Sequence, residues 1–557
     1  MMKLNIPVGV SDFKQIRENN YYYVDKSGMI AEILKTESTA VTLITRPRRF
    51  GKTLGMSMLA SFFDIRENSS LLFQGLDIFG DQELCRKWMN RYPVIFLSLK
   101  DVDGLTFSSA YGMFASAIMD LYKEHLYLLA SDRVTVYDKE IMRRIIEGRA
   151  SVTEIKKSLS LLISAMQTHY GKQVILLLDE YDVPVAKASS HGYYEEMLEV
   201  VRALMSTALK DNTSLKFSVL TGCLKIAKES IFTGTNNFVS DTISASGLNE
   251  YFGFTGQDME RLLRDAGMTG QKEQMKIWYD GYHFGGTDVY CPWDVMNYLR
   301  DLQIDPMAKP KSYWKNTSDN AIIRSFIEYA GNSITAKLET LMAGGYITQK
   351  IEEDLTYDYL HSSEDNLWSI LYLTGYLTRV RDEELTERIP EGSSALRIPN
   401  AEIREIFETS VQNWFSDSAR SWNRKKLFDA VWNGDSEALT VEMNTLLRMT
   451  ISYHDYREDF YHAFLAGIFA GAGYMVESNR EHGEGRSDVA VMDSRGGRAA
   501  VFEVKYSKNA DRLEKDCENA LVQINERMYG REFEDNYDQV VCFGISFFKK
   551  RCLVKKK

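Results

Sequence analysis

Cysteine is sparse in this 557-residue chain. Its six cysteines (Cys85, Cys223, Cys291, Cys517, Cys542 and Cys552) are scattered, with no Cys-x-x-Cys pair. That spacing argues against a disulfide framework and a paired structural zinc site. The histidines are dispersed as well. His454, His462 and His482 fall near the C-terminal constellation described below but lack helical or hairpin ligand spacing, so they read as structural or surface residues. No apolar run approaches bilayer length; the longest, at 174–178 and 540–548, are strand-sized. Residues 1–7 lack the apolar core of a signal peptide. The expectation is a cytoplasmic chain in a reducing compartment, with no membrane partner. Net positive charge is also missing: 67 Lys and Arg against 78 Asp and Glu leave −11. This argues against a nucleic-acid coat over the whole surface and leaves room for a local basic channel. The basic tail at 549–557 reads as a solvated end. There are no internal repeats or low-complexity tracts.

What is present begins with Thr45-Arg46-Pro47-Arg48-Arg49-Phe50-Gly51-Lys52-Thr53. An apolar run at 40–44 precedes it and reads as a buried strand. Residues 54–63 follow with apolar residues at helical spacing. Strand, Gly-Lys-Thr, helix is the order of a phosphate-binding loop. Backbone N–H groups at a helix N-terminus face phosphate oxygens, and the helix dipole favours negative charge there. Lys52 would reach the β- and γ-phosphates, and the Thr53 hydroxyl would hold Mg²⁺. One position departs from the pattern: Arg46 stands where the first glycine belongs, and glycine there allows backbone angles that arginine resists. Either the loop enters differently or it does not bind phosphate.

The length predicts three or four domains. Tyr21-Tyr22-Tyr23 precedes a short helix, and its rings are expected to pack rather than to stack on a base. Buried strands are expected at 94–99, 174–178 and 215–221, with helical patterns over 106–131 and 152–170. The third apolar run ends in Asp179-Glu180. Ligands of open α/β sheets sit beyond the carboxyl ends of strands. Asp179 is therefore placed to hold Mg²⁺ and Glu180 to polarise an attacking water. The next strand ends at Thr221-Gly222, with Lys225 beyond, and Thr221 and Lys225 are candidates to sense a γ-phosphate. A plain turn is the competing reading.

The loop Arg46-Pro47-Arg48-Arg49-Phe50-Gly51-Lys52-Thr53 resembles the variant loop of the bacterial predicted AAA-ATPase-like family, close to the STAND-type branch of P-loop NTPases. In that family Arg stands at the first position as a rule. The likeness continues in Tyr23-Val24-Asp25-Lys26, Leu178-Asp179-Glu180-Tyr181-Asp182, Leu220-Thr221-Gly222, Ser230-Ile231-Phe232 with Asn236-Asn237, Trp278-Tyr279-Asp280-Gly281-Tyr282-His283-Phe284 and Tyr290-Cys291-Pro292-Trp293. The family more often has Asn at the position of Cys291. The resemblance implies ATP and Mg²⁺ as cofactors. Arg46, Arg48, Arg49, Phe50, Gly51, Lys52, Thr53, Asp179, Thr221 and Lys225 would surround the nucleotide, with Thr53 and Asp179 on the metal. It further implies a helical or winged-helix domain after the nucleotide core. Trp314-Lys315-Asn316-Thr317-Ser318 and residues 371–378 are further landmarks of the family, with no chemistry assigned.

A second constellation lies at 457–529. A helix with an apolar stripe begins near Glu458. Residues 488–492 and 499–505 read as two strands around a turn at Ser494-Arg495-Gly496-Gly497. Side chains alternate faces along a strand, so Glu503 and Lys505 share one. A hairpin centred near 495.5 sets Asp488 almost opposite Glu503. Two carboxylates and an ammonium on one surface can bind Mg²⁺ and place a water for attack on phosphorus. Lys505 would orient that water or stabilise developing charge, and Glu458 would add a metal contact. The competing reading is a cross-strand ion pair on a surface hairpin. Against it, Val501, Phe502 and Val504 make the strand at least half buried.

This order of Asp, then Glu-x-Lys, resembles the PD-(D/E)xK nuclease superfamily. Glu477-Ser478-Asn479-Arg480-Glu481, Gly485-Arg486-Ser487-Asp488 and Glu503-Val504-Lys505 carry the likeness, with Gln523 and Tyr529 as its Gln…Tyr element. Ser487 stands where the superfamily name has Pro. The resemblance implies nucleic acid as partner, DNA ahead of RNA, with an oligomer open. The fold class expected is α/β. A P-loop NTPase domain at 1–250 would be followed by a helical or winged-helix lid at 251–330. A mainly helical connector at 331–440 would lead to a restriction-endonuclease-like α/β domain at 441–557. The function expected is ATP-regulated nucleic-acid cleavage. The alternative is an ATP-switched signalling or scaffold protein whose last domain binds without cutting.

Overall fold

The computed structural model describes residues 4–35, 39–225, 238–314, 337–338, 340–355, 363–410, 425–449, 458–470, 472, 474–482, 485–494, 496–548 and 551–557. The chain forms two compact units. One comprises 1–318 with 348–404, and the other 319–347 with 405–557.

The first unit is built on a parallel sheet of β1 (Val41–Thr45), β2 (Val94–Ser98), β3 (Val174–Asp179), β4 (Leu215–Gly222) and β5 (Phe238–Asp241). Its order is β2-β3-β4-β1-β5. Every residue of β3 is buried. A central parallel strand is covered on both faces, so it reads as a continuous apolar run rather than an alternating one. Parallel pairing also gathers strand ends. Thr45 lies beside Gly222 and Ser98 beside Asp179 in register. The polar residues that close each apolar run thus collect along one edge, beside the helix Lys52–Phe63 that follows β1. Four of these strands are legible as apolar runs. The fifth, β5, is short and half exposed, so it gives no such run.

Residues 251–304 carry the helices Gly256–Ala266, Lys272–Tyr279 and Pro292–Ile304. The first opens on a capping box of Thr255 and Asp258, which satisfies two orphan backbone donors. A two-stranded hairpin, β6 (Tyr282–Phe284) and β7 (Thr287–Val289), lies between the last two helices. These helices share a core of Met259, Leu262, Tyr279, Tyr298 and Leu299. The stretch expected as a mainly helical connector also carries strands. These are β8 (Ile347–Lys350), β9 (Thr378–Arg379) and β10 (Ser393–Arg397), in the order β8-β10-β9. The landmarks at 230–237 and 315–318 lie outside the described residues.

The second unit holds a sheet of β11 (Met475–His482), β12 (Gly485–Asp493), β13 (Arg498–Tyr506), β14 (Gln539–Phe548) and β15 (Arg551–Lys556), in sequence order. β13 and β14 run parallel and the other neighbours antiparallel. One face carries Val489, Val491, Phe502, Val504, Phe543 and Ile545, in one core with the helices Lys425–Asn433, Ser436–Met449 and Glu458–Ala470. The other carries Ala490, Met492, Val501 and Cys542 in a core with Ile524 of the helix Leu513–Arg527. The basic tail, expected as a solvated end, is the edge strand β15. Cys552 and Val554 are buried while Lys555 donates to Glu514 at 3.0 Å and Glu518 at 2.8 Å. Burial alternates along it, with Cys552 and Val554 inside and Arg551, Leu553 and Lys555 more open, as the two-residue period of a strand requires.

Gly544 of β14 shows how closely the helix Leu513–Arg527 approaches. A Cβ there would stand 2.8 Å from the Cys517 carbonyl oxygen and 3.0 Å from Leu521 Cγ. Overfilling such a contact costs about 1–3 kcal/mol. Gly544→Ala is expected to destabilise the second unit by that amount. Urea unfolding of the full chain, with hydrogen exchange of the 513–527 helix as the local probe, measures it. Exchange at the parent rate would refute the close packing.

Candidate active sites

The first site forms at the carboxyl edge of the parallel sheet. Arg46 does not have a positive φ; the left-handed turns fall at Arg49 (φ +74°) and Gly51 (φ +83°) instead. The loop therefore does not need glycine at its first position. Arg46 turns inward, fully buried. Its guanidinium donates to the Thr45 and Asp241 carbonyls, both at 2.8 Å, to the Asp241 carboxylate and to Asn249 Oδ1 at 2.9 Å. Expected among the nucleotide-binding residues, it is not on the cleft wall but anchors the loop from behind.

Lys52 opens the helix after Gly51 and is almost wholly buried. Its Nζ donates to the Arg46 and Pro47 carbonyls at 3.1 Å each and lies 3.4 Å from Glu180 Oε1. Burial opposes its charge, but Cys223, Glu180, Asp182 and Asp179 outweigh that and raise its pKa above the ordinary value. The Cys223 thiol is itself pushed up to about 11 by burial, so at neutral pH the carboxylates hold the ammonium.

Asp179 is a hub of hydroxyls. Thr53 donates to it at 2.8 Å, Ser98 at 3.2 Å and Thr221 at 2.6 Å. Burial raises its pKa, and Glu180 adds to this, while Thr221, Thr53 and Lys52 pull the other way. A carboxylate disfavoured by burial and bonded to a hydroxyl is an oxygen donor set suited to Mg²⁺. Glu180 sits beside it in the left-handed region at φ +53°. A non-glycine residue there is strained and persists only where its surroundings enforce it. A cleft of about 810 Å³ is lined by Arg48, Arg49, Phe50, Gly51, Lys52, Thr53 and Glu180 on one side. Tyr22, Tyr23, Phe254, Trp293 and Met296 also line it. Lys225 is not on this wall: it pairs with Asp354 at 2.7 Å. Ser98 escaped sequence reasoning, although a polar residue closing an apolar strand was available as the signal.

The second site lies on the sheet of the second unit. Pairs from Val489 with Phe502 to Asp493 with Arg498 all sum to the register that sets Asp488 against Glu503. Asp488 Oδ2 accepts from Val504 N at 2.7 Å, and Glu503 Oε1 accepts from Lys505 Nζ at 2.9 Å. The three residues thus meet, on the face that holds Ala490 and Val501. Glu503 is fully buried, and its Oε2 has no hydrogen-bond partner among the described residues. Burial raises its pKa to about 7, with Asp488 adding and Lys505 subtracting. A buried oxygen without a partner, next to a second carboxylate, fits a divalent cation. Among the described residues no group of three or more His, Cys, Asp or Glu converges as ligands. The side chain of Glu458, the further contact expected, lies outside the described residues, as do those of His462 and His482 and the whole of His454. Gln523 Nε2 donates to the Tyr529 hydroxyl at 3.3 Å, bringing that pair together.

Residues 7–232 match the family described as Predicted AAA-ATPase, and residues 456–557 match the PD-(D/E)XK nuclease superfamily. The chain is therefore mixed α/β, with an AAA-ATPase-like part and a C-terminal nuclease-superfamily part. It is also 24% identical, over 98% of its length and 97% of the relative's, to a protein of Azotobacter chroococcum mcd 1 described as "Uncharacterized protein in vnfD 5'region". Among the described residues no helix is long and apolar enough to cross a membrane.

Burial of the Glu503 carboxyl makes the stability of the fold depend on pH. Between the ordinary Glu value and about 7 the folded chain holds a proton that the unfolded chain has lost. Stability therefore falls as pH rises through that window. Glu503→Gln is expected to flatten this slope in urea titrations from pH 4.5 to 7.5. Above pH 7, Mg²⁺ should stabilise the second unit of the parent more than that of the variant. An equal slope in both would remove Glu503 as its source.

Proposed function

We propose that the first unit binds ATP with Mg²⁺ and that the second cleaves nucleic acid with a divalent cation. The observation that carries the reading is the meeting of Asp488, Glu503 and Lys505 on one sheet face with one Glu503 oxygen left over. Phosphodiester hydrolysis needs negative charge neutralised and a water activated; a bound cation supplies both. Asp488 and Glu503 would hold it, and Lys505 would orient the water or stabilise charge at phosphorus. In the first unit Lys52 and the N–H groups that open its helix would cradle the phosphates. Thr53 and Asp179 would hold Mg²⁺, and Glu180 would accept a proton from the attacking water. Nucleic acid, DNA ahead of RNA, is the substrate class.

A second reading rests on the presence of only two converging carboxylates among the described residues. On it, the second unit binds nucleic acid or protein without cutting, under control of the nucleotide state.

Glu180→Gln is expected to keep ATP affinity and lose most turnover, because an amide does not take the water's proton. General-base catalysis typically contributes about 10²–10⁴-fold. Equilibrium binding and steady-state phosphate release separate the two effects, and parent-like turnover would assign the base elsewhere.

Cleavage is tested with labelled DNA and RNA, with Mg²⁺ or Mn²⁺, with and without ATP. The parent should cut. Glu503→Ala should lose metal binding and cutting together, while Lys505→Ala should keep the metal and cut slowly. Lys52→Ala should lose the ATP dependence only. A folded parent that cuts nothing supports the non-cutting reading.

A further inference from the structure

The phosphate loop is fastened to the segment around the hairpin β6–β7 by four contacts outside the phosphate chemistry. The Arg49 guanidinium lies over the Trp293 ring at 4.2 Å. The Cys291 thiol donates to the Arg49 carbonyl at 3.8 Å. Phe50, fully buried, meets Tyr282 edge-on at 4.9 Å and Phe284 at 5.2 Å. The neighbouring Asp294 is fully buried and acts electrostatically on the same guanidinium.

Arg49 also holds a left-handed backbone angle that arginine disfavours. Arg49 and Trp293 both line the cleft that Lys52 opens onto. The indole N–H of Trp293 is buried with no hydrogen-bond partner among the described residues, so the side chain is held for its ring and not for its polar edge. A guanidinium is the side chain best matched to a phosphate's paired oxygens. An aromatic face holds a cation far less firmly than a doubly charged phosphate does.

We propose that Trp293 is a specificity-determining residue of the nucleotide site: it parks Arg49 away from the phosphates, and Arg49 leaves it only for the terminal phosphate of a nucleoside triphosphate. The inference rests on the nucleotide reading given above. Lys52 serves any di- or triphosphate that enters the loop. The contest between indole and phosphate for Arg49 is what separates the two ligands. Parking subtracts from triphosphate affinity alone, because a diphosphate never calls on Arg49. In parting from Trp293, Arg49 would also remove one of the loop's contacts to the helix Pro292–Ile304, while those of Cys291 and Phe50 stay.

The test is calorimetric titration of the full chain with Mg²⁺ and either ADP or a non-hydrolysable ATP analogue. Trp293→Leu should bind the analogue about 2- to 30-fold more tightly, the ratio that corresponds to a cation–π contact. Its ADP affinity should stay within about 2-fold of the parent, inside the weak end of that same range. Trp293→Phe, which keeps a ring, should fall between parent and Trp293→Leu. Arg49→Ala should lose the preference for the analogue, and adding Trp293→Leu to it should change nothing further. Weakening of both nucleotides to the same degree in Trp293→Leu would assign the indole to packing and overturn the proposal. So would a gain that persists without Arg49. If Trp293→Leu does not fold, Arg49→Ala decides: an unchanged preference for the analogue overturns the proposal. A folded parent that binds neither nucleotide overturns the nucleotide reading itself, an outcome distinct from all of these.

Discussion

The first unit depends on a buried charge set behind the cleft wall. Arg46 stands in the position where phosphate loops usually have glycine, and its guanidinium is spent on Asp241 and Asn249. Asp241 closes β5, the edge strand beside β1, so the anchor ties the loop to the sheet on the side away from Asp179. Breaking one partner of a buried pair costs about 3–5 kcal/mol. With its entry fixed, the loop takes its left-handed turns later, at Arg49 and Gly51, and delivers Lys52 to the start of its helix.

From that anchor the rest of the edge follows. Parallel pairing brings Ser98, Asp179, Gly222 and Thr45 to one end of the sheet, and three hydroxyls then converge on one buried carboxylate. Lys52 balances a group of acids that would repel one another without it. The second unit solves a similar electrostatic problem with fewer parts. Glu503 is buried beside Asp488, and a single lysine meets one of its oxygens. Both arrangements leave carboxylates short of positive charge, and both are therefore suited to a cation or to chemistry at phosphorus.

Much of this was legible without coordinates. The apolar run at 174–178 is unbroken because β3 is an inner strand buried along its whole length. Hairpin arithmetic placed Asp488 against Glu503, since the register of a short turn leaves little choice. Other elements were hidden. The strand β5 is half exposed and has no apolar run, and β15 reads as a basic tail because its three apolar residues, Cys552 to Val554, are flanked by arginine and lysines. Ser98 carried no assignment, and its bond to Asp179 exists only because parallel pairing sets the two side by side.

The residue types and their order along the chain were enough to mark two candidate sites, because Gly-Lys-Thr after a strand and Glu-x-Lys after a hairpin are local patterns. What folding alone decided is where each of the neighbouring cations goes. Arg46, Arg48, Arg49, Lys52 and Lys225 are equivalent as charges in a sequence. Arg46 goes inward to Asp241, Lys225 outward to Asp354, Arg49 onto Trp293, and Lys52 stays at the helix start. Each destination is set by a carboxylate or ring tens to hundreds of residues away along the chain, and a local pattern carries no information about a partner that only the tertiary fold brings near.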